Sequence, residues 1–194
     1  MSLLPQSWYY RDVIEVARDL LGRHLKRGSV VLRITEVEAY LGPHDSAAHT
    51  RMGRTRRNAP MWGPGGHAYI YLCYGIHNML NVVTGNGDGA AVLIRSCEVV
   101  RGLSVVRHRR QGAEGPLLLA GPGKVGQALD LSTQLSGHAL FTSGKLELHA
   151  GGPATSIRKG TRIGIAYARR KDVRAQLRFA DGDSHCVTGR SALS

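Results

Sequence analysis

The chain has 194 residues, 42% of them apolar and 21% charged, enough for one domain over residues 1–194 with a buried core and too few for two comfortable ones. No apolar run reaches the roughly 20 residues needed to cross a bilayer, and the start, MSLLPQSWYYRDVIEVARDLLG, lacks a basic segment followed by an unbroken apolar stretch, so neither a membrane span nor a secretory leader is expected and the location is read as cytoplasmic. The 26 Lys and Arg against 14 Asp and Glu give a net charge of +12, which points to a polyanionic partner such as nucleic acid.

Residues 10–21 carry one apolar stripe, Val13, Ile14, Ala17, Leu20 and Leu21, with Gly22 as a stop, and predict a helix. SVVLRITEVEAYL, residues 29–41, predicts a strand. Read with a period of two, Ile34, Glu36, Glu38 and Tyr40 share one face, an odd mixture in which two carboxylates accompany an isoleucine and a tyrosine. A long loop follows over residues 42–66, rich in glycine and arginine, and loops of that length are usually functional or disordered. Residues 67–95 predict an antiparallel meander: a strand, a turn around Gly75, a second strand, an Asn-Gly-Asp-Gly turn and a third strand. SCEVVRGLSVVRHRR, residues 96–110, reads as a helix with its basic residues near the C-terminus, where the helix dipole favours them. GPGKVG reads as a turn leading into a short helix. Alternating segments return from residue 139, including TRIGIAYA and LRFADGD. The expected fold is mixed α/β (α+β), one domain of mostly antiparallel strands with a few helices packed on them.

Several constellations are candidates for chemistry. His44, Asp45 and His49 do not have common zinc spacing, and three scattered cysteines fit reduced thiols better than a metal or disulfide framework. GPGKVG lacks the ending of a phosphate-binding loop, although its amides and Lys124 are suited to meeting a phosphate. Glu36 and Glu38, two apart on one strand, place their carboxylates roughly 6–7 Å apart. Acid and base pairs normally flank a substrate from different elements, so one working and one structural carboxylate is the better reading. In AYIYLCYG, Tyr69, Tyr71 and Cys73 alternate with Ile70, Leu72 and Tyr74. Strand tyrosines are usually packing, but in a basic protein they also serve as stacking platforms or wedges for bases. Arg51, Arg54, Arg56 and Arg57 form one basic cluster, and Arg107, Arg109 and Arg110 another. A charge run is as often simply a solvated face, but guanidinium groups favour bidentate phosphate contacts.

TEVEAYLGPHDSAAH, RTRRNAPMWGPGGHAYIYLCYGIHNMLNV and GDGAAVLIR, in that order and spacing, resemble the alkyladenine (3-methyladenine) DNA glycosylase family over essentially the whole chain. The resemblance implies an enzyme that flips a damaged purine out of double-stranded DNA and hydrolyses its N-glycosidic bond, leaving an abasic site. By that resemblance Glu38 is the general base that activates water, Arg95 helps to hold the water, and Glu36 is structural. Tyr40, His49 and Tyr71 match residues that contact the flipped base. Asn81 matches a residue that crowds the exocyclic amine of normal guanine, and Tyr74 matches the intercalating wedge at the tip of a hairpin entering the minor groove. Arg51, Arg54, Arg56 and Arg57 become candidate phosphate contacts as a group. The resemblance implies a single compact domain around a curved antiparallel sheet, neither metal nor cofactor, and a monofunctional enzyme without lyase activity; one base per catalytic event and a small basic body favour a monomer. The competing readings are a non-catalytic nucleic-acid-binding domain, which leaves Glu38 and Arg95 idle, and a hydrolase of free nucleosides, which leaves the charge of +12 idle.

Overall fold

The structure is a computed structural model that describes residues 1–194, the side chain of Leu117 excepted. The first helix, α1 (Val13–Leu20), begins at Asp12, whose carboxylate accepts the free amides of Ile14 and Glu15, and buries Val13, Val16, Ala17 and Leu20. Two strands follow: β1 (His24–Arg27), to which the sequence reading assigns no element, and β2 (Val30–Tyr40), which falls within the strand expected over residues 29–41. The meander appears as β3 (Ala68–Cys73), β4 (His77–Val83) and β5 (Ala91–Arg101). The remaining elements are α2 (Leu103–Arg109), α3 (Pro122–Ala128), β6 (Glu147–His149), β7 (Ile157–Gly160), α4 (Arg170–Arg174) and β8 (Arg178–Asp181).

All eight strands form one curled sheet in the order β3-β4-β5-β2-β1-β6, and β8 adds to β2 beyond the end of β1 and carries β7 on its other edge. Every pairing is antiparallel. Helix α1 and the α2–α3 pair cover one face, where Leu20, Leu32, Ile34, Val37, Ile94 and Leu129 belong to a single core.

Two expectations need correction. The segment 96–110 is not one helix: β5 runs on to Arg101, Gly102 turns the chain at φ +86°, and only Leu103–Arg109 is helical. The β-branched pair Val99–Val100 suits the strand, and the helical signal belonged to the residues after the glycine. TRIGIAYA is not a strand either. Residues 161–168 run irregularly, with Gly164 at φ +78°, and Arg162 and Ile165 turn inward.

The puzzling face of β2 has a structural answer. The β2–β5 register shifts between Ile34 and Glu36 and again between Glu36 and Val37, leaving Thr35 on β2 and Arg95 on β5 without opposite partners. Such bulges exchange the faces of a strand. Before the shift the even residues Leu32 and Ile34 point into the core; after it the odd residues Val37 and Ala39 do. The carboxylates therefore do not share a face with Ile34, and the period-two reading fails at that one step.

Candidate active site

Glu36 and Glu38 lie on the face of β2 opposite the core, and both are fully buried. Glu36 accepts hydrogen bonds from Arg95 Nε (3.3 Å), Ser96 Oγ (2.5 Å), Arg178 Nη1 (3.1 Å) and the Thr188 amide (2.9 Å), so both of its oxygens are engaged. Consecutive residues of a regular strand point to opposite faces; Arg95 and Ser96 reach the same carboxylate because the register shifts there. Glu38 is less saturated. Its Oε1 meets the Ile163 amide (2.8 Å) and Arg95 Nη1 (3.2 Å), while Oε2 accepts only the Tyr40 hydroxyl (2.9 Å).

Burial pushes the Glu38 carboxyl above the usual glutamate range, and Glu36 adds to the push. Arg95, the Ile163 amide and the Tyr40 hydroxyl pull it back without cancelling the effect. The Tyr40 phenol is driven well upward, by burial and then by Glu38, so it stays a donor. Behind Tyr40, Arg162 bonds both oxygens of Asp45 and lies 4.7 Å from the tyrosine ring centre.

A cavity of about 500 Å³ opens above this layer. Tyr40 from β2, His49 from the long loop, and Tyr69 and Tyr71 from β3 supply its aromatic walls. Asn81 from β4, Arg95 from β5, and Ile163 and Tyr167 from the irregular C-terminal stretch complete it. Glu38 has no surface on the cavity; it lies directly behind Tyr40, Arg95 and Ile163, which do. His49 Nδ1 is 2.9 Å from the Tyr69 hydroxyl, and its ring meets Tyr71 edge-on, 4.4 Å between centres. Burial, then Arg57 and Arg51, bring the His49 imidazole down to about 4, so it is neutral near pH 7. Asn81 is buried and anchored by its amide nitrogen on the Tyr69 carbonyl (3.1 Å), which fixes it at the cavity wall.

Tyr74 occupies the β3–β4 turn, 90% exposed and at φ +49°, a left-handed backbone conformation that disfavours a tyrosine. Leu72 and Ile76 beside it are also exposed, so the hairpin presents an apolar tip to solvent.

The structure divides the arginines by role. Arg51, Arg54, Arg56 and Arg57 are all exposed around the mouth of the cavity or beyond it. Arg57 donates to the Leu72 carbonyl (3.1 Å) and lies 5.4 Å from the Tyr71 ring centre; Arg51 lies 5.2 Å from that of Tyr167. Arg54 and Arg56 enter no hydrogen bond or ion pair among the described residues. The second basic cluster is structural: Arg107 pairs with Glu114, Arg109 donates to the Ala128 carbonyl and Arg110 to the Leu118 carbonyl, tying α2 to α3 and its approach. Asp45 is engaged by Arg162 and His49 by Tyr69, and no group of three or more metal-ligating side chains gathers among the described residues.

Sequence reasoning missed four contributors. Arg162 and Arg178 lie in C-terminal segments that alternate like ordinary strands, and nothing in their spacing marks them as buried. Ile163 acts through its backbone amide, for which a side chain gives no sign. Tyr69 had a signal, since it stands two residues from Tyr71 on the same side of β3.

The model of the methylpurine-DNA glycosylase (MPG) family matches residues 7–185. A protein of Nitrosococcus oceani named "Putative 3-methyladenine DNA glycosylase" is 53% identical over 193 residues, covering 99% of this chain and 96% of its own. A DNA-3-methyladenine glycosylase of Arabidopsis thaliana is 52% identical over 191 residues, 97% of this chain and 75% of its own. A similarly named protein of Methanocella arvoryzae is 43% identical over 197 residues, 98% of each chain.

Proposed function

Given that the chain belongs to the methylpurine-DNA glycosylase family, we propose that residues 1–194 form a single monomeric catalytic domain that excises alkylated and deaminated purines from double-stranded DNA by direct displacement with water. The observation that carries this reading is the Glu38–Arg95 pair set directly behind an aromatic cavity. Glu38 Oε2, with one hydrogen bond in place among the described residues, has a lone pair free for a proton, and the water reaches it once the side chains of Tyr40 and Arg95 that cover it part to admit one. The water oxygen bonds to the sugar C1′ as the C1′–N bond breaks; the bonding pair leaves with the purine and the proton passes to Glu38. Arg95 keeps Glu38 ionised and orients the water, while Glu36, saturated by four donors, holds Arg95 in place.

Tyr40 on one side and His49 with Tyr71 on the other sandwich the base, and electron-deficient or cationic purines gain most from such faces. A neutral His49 adds no charge against a cationic base. Asn81 rejects the guanine amine, whose burial against a fixed amide is penalised. Tyr74 fills the gap left by the flipped nucleotide, and Arg51, Arg54, Arg56 and Arg57 hold the backbone phosphates. Among the described residues no lysine lines the cavity, which supports a monofunctional enzyme that forms no Schiff base. The substrates in this reading are the cationic 3-methyladenine and, against the crowding of its amine by Asn81, 7-methylguanine, and, with more demanding departure because they are neutral, hypoxanthine and ethenoadenine.

The test uses methylated DNA and a labelled duplex carrying one hypoxanthine. Free base should appear, and strands should break only after alkali. Breakage without alkali would overturn the monofunctional reading, and no release from either DNA would overturn the activity.

Two further results are expected. With 3-methyladenine as the departing base, already cationic so that it needs no proton, the single-turnover rate should fall as the pH drops through the Glu38 ionisation. Since burial raises that ionisation, the acid limb should lie above the ordinary glutamate value of about 4.3. Arg95→Gln removes a charge that lowers it, so the limb should move further toward neutral pH. A limb that stays in place would separate Arg95 from the ionisation of the base. Tyr74→Gly should slow base release from duplex DNA while raising thermal stability by no more than about 1 kcal/mol, because the left-handed strain relieved, about 1–2 kcal/mol, exceeds the roughly 0.5–1 kcal/mol that glycine's freedom in the unfolded chain costs. A fall in melting temperature would show that the ring supports the folded hairpin.

A further inference from the structure

Tyr167 is 60% exposed, yet it lines the cavity and is fastened at two points. Its hydroxyl donates to the Ala47 carbonyl (2.8 Å), and the Arg51 guanidinium covers its ring at 5.2 Å. Aromatic side chains left to solvent on irregular segments are free to change rotamer; this one is held against the loop that carries His49. Behind it lies a second hollow of about 460 Å³, lined also by Arg51, Thr55 and Asn58. The two hollows have His49, Arg57, Tyr69 and Tyr167 in common, so these four side chains are the partition between them. His49 and Tyr69 are bonded to each other, and Arg57 is tied to the Leu72 carbonyl. Tyr167 is the panel of the partition that is fixed from the solvent side.

We propose that Tyr167 is a specificity-determining residue whose ring, pinned between Arg51 and Ala47, closes the passage from the base cavity into the neighbouring hollow and so limits the bulk of the purine adduct that the enzyme accepts. The proposal rests on the activity argued above and adds to it the residue that sets a size limit. Removing the ring joins the two spaces. A purine carrying a fused extra ring then gains room, whereas a purine carrying one methyl group already fits and loses a wall.

The experiment compares Tyr167→Ala and Tyr167→Phe with the unchanged enzyme, measuring kcat/KM for release of ethenoadenine and of 3-methyladenine from duplex DNA. The readout is the ratio of the two constants within one preparation, from which any unfolded fraction cancels. Tyr167→Ala should raise the ethenoadenine to 3-methyladenine ratio by about tenfold or more, the scale of discrimination that steric fit in an apolar pocket provides. Tyr167→Phe keeps the ring and its stacking with Arg51 and loses only the bond to Ala47, so its ratio should stay within about twofold of the unchanged enzyme. If the unchanged enzyme releases 3-methyladenine and Tyr167→Ala leaves the ratio where it was, the size limit lies elsewhere and the activity stands. A ratio that shifts equally in Phe and Ala would also overturn the proposal, because the hydroxyl tether rather than the ring would then govern. If the unchanged enzyme releases neither base, the activity and the proposal fall together.

Discussion

Changing Glu38 to Gln should slow release of 3-methyladenine by about 10²–10⁴-fold, the usual weight of a positioned general base, and leave binding to the damaged duplex nearly intact. Glutamine keeps the shape of the side chain, and its oxygen can still accept from the Ile163 amide and Arg95, but its amide nitrogen meets the Tyr40 hydroxyl as a donor and cannot take the proton of the attacking water. The change also removes a charge that the fold buries at a cost, so no large loss of stability is expected from Glu38 itself. Arg95 retains Glu36 as an ionic partner at 3.3 Å. Single-turnover rates at saturating enzyme separate the chemical step from binding. A variant with full activity would overturn the assignment of the base. Equal loss in Glu36→Gln and Glu38→Gln would mean that the two carboxylates act as one unit and that the division between working and structural groups is wrong.

The second large effect concerns stability. Arg162→Met should cost about 3–5 kcal/mol, the scale on which a buried ion pair fails when one partner is removed. Arg162 and Asp45 have almost no exposed side-chain surface, and the arginine bonds both carboxylate oxygens and the Ala39 carbonyl. Without it Asp45 keeps the amides of Leu41 and Ala47 but has no opposite charge beside it. The urea midpoint reads the loss directly. Replacing both partners, as in Arg162→Met with Asp45→Leu, should recover a large part of it, because no unpaired charge then remains buried. A single variant that loses less than about 1 kcal/mol would mean that water enters and solvates the aspartate. Base release should fall as well, since Ile163, whose amide holds Glu38, is the next residue in the chain.

The sheet and its meander were legible because local signals and tertiary contacts agree there. Alternation, turn glycines and β-branched residues all indicate β3, β4 and β5, and the helix stripe from Val13 to Leu20 meets the core as read. Tyr40, His49, Tyr71, Asn81 and Arg95 line one cavity, and Tyr74, exposed at the hairpin tip, reaches its rim. What failed were places where a non-local partner decides. The exchange of faces at Thr35 depends on how β2 pairs with β5, which no window of sequence contains. The stretch 161–168 alternates like a strand but is drawn out of the sheet by Arg162 reaching Asp45 and Ile163 reaching Glu38. Arg178 stands in a segment that reads as ordinary alternation, although it is buried against Glu36. Arg95, Arg162 and Arg178 are buried with Glu36, Glu38 and Asp45, charges that cancel, so the surplus of +12 is carried by the other ionisable groups of the chain.

The attachments of Glu36 and Glu38 also set an order of events during synthesis. Both carboxylates are made early, yet Glu38 waits for the Ile163 amide 125 residues later, and Glu36 for Arg178 and Thr188, 142 and 152 residues later. A nascent chain that ends before these residues has its meander and its tyrosines but neither the strand that flanks β2 nor the cations and amides that let two acids be buried side by side. Such long-range closure is slow to form and leaves partly folded chains exposed meanwhile. Hydrolytic competence therefore arrives late, when the C-terminal segment docks, and a chain truncated before Ile163 would lack both the amide that holds Glu38 and the part of the cavity wall that Ile163 and Tyr167 supply.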